Sequence, residues 1–260
     1  MNLNRSAKNF RGQLRQNIVF IQLYKQLFLM TENYDDWSQL LDYLHQISTA
    51  PSINALILAG APDADDKNEF IHFFKRIRTN GNDVSLIYRI YNFINQLILK
   101  LAEFEKFTIY IDSGKVMMSF LNIGLACDYR IFSDTAVIQN PEIQMGLPAK
   151  GGSAYFLPRL VGLQNAYKIL MSEKDISAFE AIELGLINEV APLERFEETA
   201  FHRAKEFCRN SPQALSIAKQ LMYFANCDLR KYLKYEDTLL MNVIKREFEG
   251  KENDLPNPLY

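Results

Sequence analysis

From Leu86 to Phe104 the apolar residues Leu86, Ile90, Phe93, Ile94, Leu97, Ile98, Leu101 and Phe104 keep to one helical stripe, and the chain then enters the short β-type run Phe107 to Ile111. The same order occurs earlier. Asn17 to Leu23 is apolar, β-branched and partly alternating, Tyr34 to Ile47 carries apolar residues at helical spacing, and Ile53 to Leu58 is a buried strand ending at Ala59-Gly60. A strand followed by a helix of this length and another strand implies parallel pairing, because a parallel neighbour needs a long crossover. The chain is therefore expected to be α/β with a mostly parallel sheet.

The polar segment Ala61 to Asn68 has the composition of a loop after a strand. Beyond Pro158 the only strand signal is Ile187 to Val190. Asn165 to Met171, Ser177 to Leu184, Phe196 to Cys208, Pro212 to Phe224 and Leu229 to Phe248 read as helices. Ser177 with Glu180 forms a capping box that fixes one helix start. Two prolines in Asn253 to Tyr260 mark a loose tail. The 260 residues are expected to form a core domain over 1–192 and a C-terminal helical region over 193–260, the part to which the family resemblance given below assigns oligomerisation.

A formal charge of −2 gives no electrostatic reason to expect nucleic acid. Cys127, Cys208 and Cys227 are odd in number and widely spaced, without a C-x-x-C pair, which points to a reducing, cytoplasmic setting. No apolar run reaches the length of a membrane span, and Met1 to Arg15 lacks the apolar centre of a signal peptide. His45, His72 and His202 are scattered, so no metal is expected.

Two segments carry the chemistry. One is Leu125-Ala126-Cys127-Asp128-Tyr129-Arg130-Ile131. The other is Asn140-Pro141-Glu142-Ile143-Gln144-Met145-Gly146-Leu147-Pro148, followed by Gly151-Gly152 and Leu157-Pro158-Arg159-Leu160-Val161-Gly162. With Lys106, Gly114 and the stretch Ser177 to Val190, they resemble the crotonase (enoyl-CoA hydratase/isomerase) superfamily. The resemblance implies a ClpP/crotonase-like α/β spiral of β-β-α units with a C-terminal helical region, assembled as homotrimers or hexamers. It also implies an acyl-CoA or acyl-carrier thioester as substrate, with CoA or phosphopantetheine entering only as part of that substrate and no separate cofactor. In the family the thioester carbonyl lies between two backbone N–H groups, fixed dipoles that meet the charge growing on oxygen.

Laid over this pattern, Glu142 falls on a catalytic position, and Ser119 and Asp66 fall at the backbone donors of the oxyanion hole. Met118, Phe120, Asn122 and Gly151 are the corresponding substrate-pocket candidates. Three departures stand out. The family's glycine triplet is Met118-Ser119-Phe120, the loop Ala61 to Phe70 has lost its glycine, and Asn122 replaces the first glutamate of hydratases. A neutral amide cannot deprotonate water, but one carboxylate can take a proton from one carbon and return it to another. The implied activity is isomerase-type proton transfer with Glu142 alone; the alternative is a degenerate homologue that binds or scaffolds without turnover.

Other residues read as structural. Cys127 is a buried thiol, and Asp128 accepts backbone N–H groups at a helix exit. Gly151-Gly152 lacks the spacing of a phosphate loop and gives a close backbone turn beneath the pocket. Lys67, Lys75, Arg76, Arg78 and Lys150 read as basic residues on solvated faces, with CoA phosphates as the other reading.

Overall fold

The computed structural model describes residues 3–24, 34–62, 65–79, 84–225 and 228–249. Its strands are β1 (Arg5–Ser6), β2 (Phe10–Arg15), β3 (Ile18–Leu23), β4 (Ala55–Ala59), β5 (Phe107–Asp112), β6 (Lys115–Met117), β7 (Tyr129–Ser133), β8 (Val137–Gln139), β9 (Ile176–Ser177) and β10 (Glu189–Ala191). The main sheet runs β1-β2-β3-β4-β5-β7-β10, parallel from β3 onward and antiparallel at the β1-β2-β3 edge. A second, three-stranded sheet is ordered β6-β8-β9. The parallel centre follows the expectation. The β1 and β2 edge lay hidden in the polar stretch before Arg15, because only some of its residues turn inward.

Strands β4 and β5 are buried at every position, as parallel strands covered on both faces must be. On one face Val19, Ile21, Leu56, Leu58 and Tyr110 join the large core with α1 (Tyr34–Thr49), α2 (Asp66–Thr79) and α3 (Val84–Ala102). That core also takes in α4 (Met118–Leu125), whose eight residues are all buried. The opposite face carries Ile18, Phe20, Ile57, Ile109 and Ile111.

The short helix α5 (Pro141–Gln144) and the long α6 (Ser153–Leu170) follow β8. Inside α6 the helical path breaks at Gly162, whose φ of 76° and ψ of 158° only glycine adopts freely. Ser177 caps α7 (Ala178–Glu183) by accepting from Glu180 N–H at 3.2 Å, as the capping box requires. After a 3₁₀ turn (Leu193–Arg195), α8 (Phe196–Phe207) covers the second face of the sheet with Ala200, Ala204, Phe201 and Phe207. Phe207 stacks on Phe107 with ring centroids 4.2 Å apart.

Helix α9 (Pro212–Phe224) is pinned by Lys219, whose Nζ donates to Asp128 Oδ2 at 2.7 Å and to the Lys106 carbonyl at 2.6 Å. Helix α10 (Leu229–Glu249) packs across α3. The helices expected over Ser177 to Leu184, Phe196 to Cys208, Pro212 to Phe224 and Leu229 to Phe248 are present within a residue or two of their expected ends, whereas the one expected over Asn165 to Met171 is only the last part of α6, which begins at Ser153. The tail from Asn253 to Tyr260 and Cys227 lie outside the described residues. No described helix is long and apolar enough to cross a membrane.

Candidate active site

Glu142 is placed by the residues before it. Pro141 occupies the first turn of α5, where its missing N–H costs nothing and its fixed φ suits a helix start. Asn140 fastens that turn, its Nδ2 donating to the carbonyls of Leu170 at 3.2 Å and Ser172 at 3.3 Å. The Glu142 carbonyl then accepts from Met145 and Leu147 N–H at 3.0 and 2.9 Å. The result is a carboxylate with no exposed surface, delivered to the start of α4.

There the Ser119 hydroxyl donates to Glu142 Oε1, while Oε2 has no hydrogen-bond partner. Burial drives the carboxyl up to about 7, against opposing hydrogen bonds from the Ser119 hydroxyl, from its own N–H and from the Ser119 N–H. Desolvation therefore wins over the donors. Helix α4 starts without a side-chain cap, so its first N–H groups have no helical acceptor of their own. A carboxyl titrating near neutrality in a dry pocket can both accept and return a proton.

Asn122 lies three residues after Ser119 on the same face of α4 and has no exposed surface. Its Nδ2 donates to the Lys150 carbonyl at 2.8 Å and to Ser153 Oγ at 2.6 Å, leaving Oδ1 unpartnered. The segment Lys150 to Ser153 thus supports α4 from below, the place expected for Gly151-Gly152. Gly151 and Gly152 have φ of 85° and 84°, and a Cβ on Gly151 would stand 3.2 Å from Ile94 and Ile98 of α3. Glycine is needed there for both conformation and space.

Lys150 corrects one expectation. Instead of lying on a solvated face it has no exposed surface, because α10 closes over it. Its Nζ donates to Glu236 Oε2 at 2.6 Å and Asn95 Oδ1 at 2.9 Å, and lies 2.7 Å from Asp237 Oδ1. Glu236 also accepts from Gly151 N–H at 3.1 Å and Gly152 N–H at 3.0 Å, so one carboxylate from α10 closes the start of α6. The sequence did signal this residue. Glu236 interrupts the buried stripe Leu229, Leu233, Leu240 and Ile244 of α10, and an acid in such a stripe needs a buried partner.

The expected loop Ala61 to Asn68 is shorter than the composition implied. Asp65 caps α2, accepting from Asn68 N–H at 3.4 Å and Asn68 Nδ2 at 2.8 Å, and Asp66 is the first helical residue. The Asp66 N–H therefore belongs to a first helical turn, where no intrahelical acceptor exists. Met118 and Phe120 are buried in the main core, and none of the described cavities has either in its wall.

Cys127 is buried, with its thiol pushed up to about 12 chiefly by desolvation. Asp128 accepts from Thr108 N–H at 2.7 Å and Thr108 Oγ1 at 2.9 Å, bracing β5. Among the described residues no group of His, Cys, Asp and Glu side chains is placed to hold a metal.

The profile of the family described as enoyl-CoA hydratase/isomerase matches residues 17–252, and the chain belongs to that family. A short-chain-enoyl-CoA hydratase of Clostridium acetobutylicum is 28% identical over 174 residues, 61% of this chain and 67% of that protein. The enoyl-CoA isomerase/hydratase fer4 of Mycosarcoma maydis is 30% identical over 167 residues, 61% of each chain. The crystal structure of an enoyl-CoA hydratase from Bacillus halodurans superposes with a TM-score of 0.79 at 21% identity, over 92% of this chain and 96% of that one. The crotonase fold is thereby shown.

Proposed function

We propose that this chain acts on an acyl thioester, carried by CoA or by a phosphopantetheine carrier protein. Glu142 shifts a proton between two carbons of the acyl group and does not add water. The observation that carries this reading is the state of Glu142: fully buried, raised to about 7, and holding one free oxygen. The names of the relatives support the substrate class, and Asn122 in place of a second carboxylate supports proton shift over hydration. The Asp66 backbone N–H serves the proposed site as an oxyanion donor, while the N–H of Ser119, the other donor expected, is turned to the Glu142 carboxyl. Glu142 has no exposed surface, so a substrate enters only if neighbouring side chains move aside.

The test is proton exchange at the acyl α- and γ-carbons, followed by NMR in heavy water over a panel of enoyl thioesters, beside an absorbance assay of hydration. Exchange without hydration is the expected result; hydration without γ-exchange overturns it. A second reading, a thioester-binding or scaffolding subunit without turnover, is favoured by the sealed carboxylate and by Ser119 facing it. Binding without any exchange is its signature. Assembly as trimers or hexamers belongs to the same proposal, and a monomer by light scattering at micromolar concentration would remove it.

The raised pKa of Glu142 sets two opposite pH trends. As a base Glu142 acts only when ionised, so the exchange rate is expected to climb as pH rises through about 7 and then level. Stability runs the other way. The unfolded carboxyl ionises near 4.5 and the folded one near 7, so between these values the folded state holds the extra proton. The stability contribution is full below about 4.5 and declines as pH rises through about 7, by roughly 3 kcal/mol in all. Urea melts across this range read the slope, which Glu142→Gln removes.

A further inference from the structure

Among the buried polar atoms around the site that have no hydrogen-bond partner are Glu142 Oε2, Asn122 Oδ1 and the Tyr91 hydroxyl. A hydroxyl stripped of water and left unbonded is costly, so one that persists points to a partner supplied from outside the chain. Tyr91 lies on α3 one helical turn before Asn95, whose Oδ1 takes the Lys150 ammonium at 2.9 Å. Lys150 Nζ stands 5.8 Å from the centroid of the Tyr91 ring. Further along the same face, Ile94 and Ile98 pack toward Gly151, which lies against the Ser119 carbonyl. Tyr91 thus lies on the face of α3 that meets Lys150, where the charges of Glu142 and Glu236 both act on it.

Burial first, and then the charges of Glu142 and Glu236, all raise the pKa of the phenol, well above the ordinary tyrosine value. At neutral pH the phenol keeps its proton and is a permanent donor. The donors at Ser119 are already engaged, since both its hydroxyl and its N–H face the Glu142 carboxyl. A site with that arrangement needs another donor for the thioester oxygen.

We infer that Tyr91 is a further catalytic residue, its O–H being the side-chain donor that meets the thioester carbonyl oxygen as negative charge grows there. The inference rests on the acyl-thioester reading above. In the step it serves, Glu142 Oε2 takes the proton from the acyl α-carbon, the C–H bond breaks, and its electron pair moves onto the carbonyl oxygen as an enolate. Tyr91 keeps its own proton and donates a hydrogen bond to that oxygen. Glu142 then returns the proton at the γ-carbon, the electrons flow back, and the double bond has moved with no net change of atoms. A donor fixed in a packed, dry site meets the charge without having to reorganise.

The test compares wild type with Tyr91→Phe, which removes one oxygen and keeps the ring. It reads the carbonyl stretch of an enoyl-CoA labelled with ¹³C at the thioester carbon, by difference infrared spectroscopy, together with exchange in heavy water and the melting temperature. Wild type is expected to lower the carbonyl frequency relative to free thioester. Tyr91→Phe is expected to reverse most of that shift and slow exchange by about 10²–10³-fold, with the melting temperature unchanged or higher. A variant with the wild-type carbonyl shift, and exchange within about twofold, overturns the inference and leaves the proposed function standing. If the shift depends on Tyr91 while wild type shows no exchange, the donor stands and turnover falls. If wild type binds no thioester, both fall.

Discussion

Glu142→Gln is expected to slow acyl-carbon proton exchange by about 10²–10⁴-fold while the protein still binds thioester. The amide keeps the size of the carboxyl and can still accept from the Ser119 hydroxyl, but it has no basic oxygen for a substrate proton. The atom that matters is Oε2, which no protein group occupies. Exchange at the wild-type rate in Glu142→Gln would move the chemistry elsewhere. An equal loss of binding and rate would instead make Glu142 a part of the binding surface. The pH profile provides the internal control, because the rise through about 7 must disappear with the carboxylate.

Glu142 could be singled out in the sequence because a proline and an asparagine precede it, and because a long motif surrounds it. Its burial could not, since that depends on α4 and α5 meeting across the fold. The parallel centre of the sheet was legible because β4 and β5 are apolar throughout and helices of crossover length separate the strands. Strands β8 and β9 were not, since two or three residues carry no period. Asp65 was passed over because a capping aspartate and a loop aspartate have the same composition, and only the bonds to Asn68 separate them. Lys150 was misplaced for a different reason. Its partners Asn95, Glu236 and Asp237 are dozens of residues away, and a lysine beside two glycines looks like surface until α10 is laid over it.

That cluster carries the largest expected loss of stability. Glu236→Ala leaves the Lys150 ammonium buried with Asp237 as its remaining carboxylate, and strips two N–H groups at the start of α6 of their acceptor. The Glu236 side chain is only about a tenth exposed, so water replaces little of what is lost. Removing one partner of a buried pair costs about 3–5 kcal/mol, and the surviving Asp237 contact places this case near the lower end. Urea unfolding reads the value directly. A loss below about 1 kcal/mol would mean that Lys150 finds solvent or needs only Asp237. Lys150→Met combined with Glu236→Gln should cost less than the two single changes added together, because methionine removes the buried charge and glutamine still accepts from Gly151 and Gly152. Simple additivity in that cycle would show that the ammonium and the carboxylate act independently. The position of α10 over the site would then rest on its apolar stripe, on the bonds of Gly151 and Gly152 to Glu236, and on those of Asn95 to Asp237.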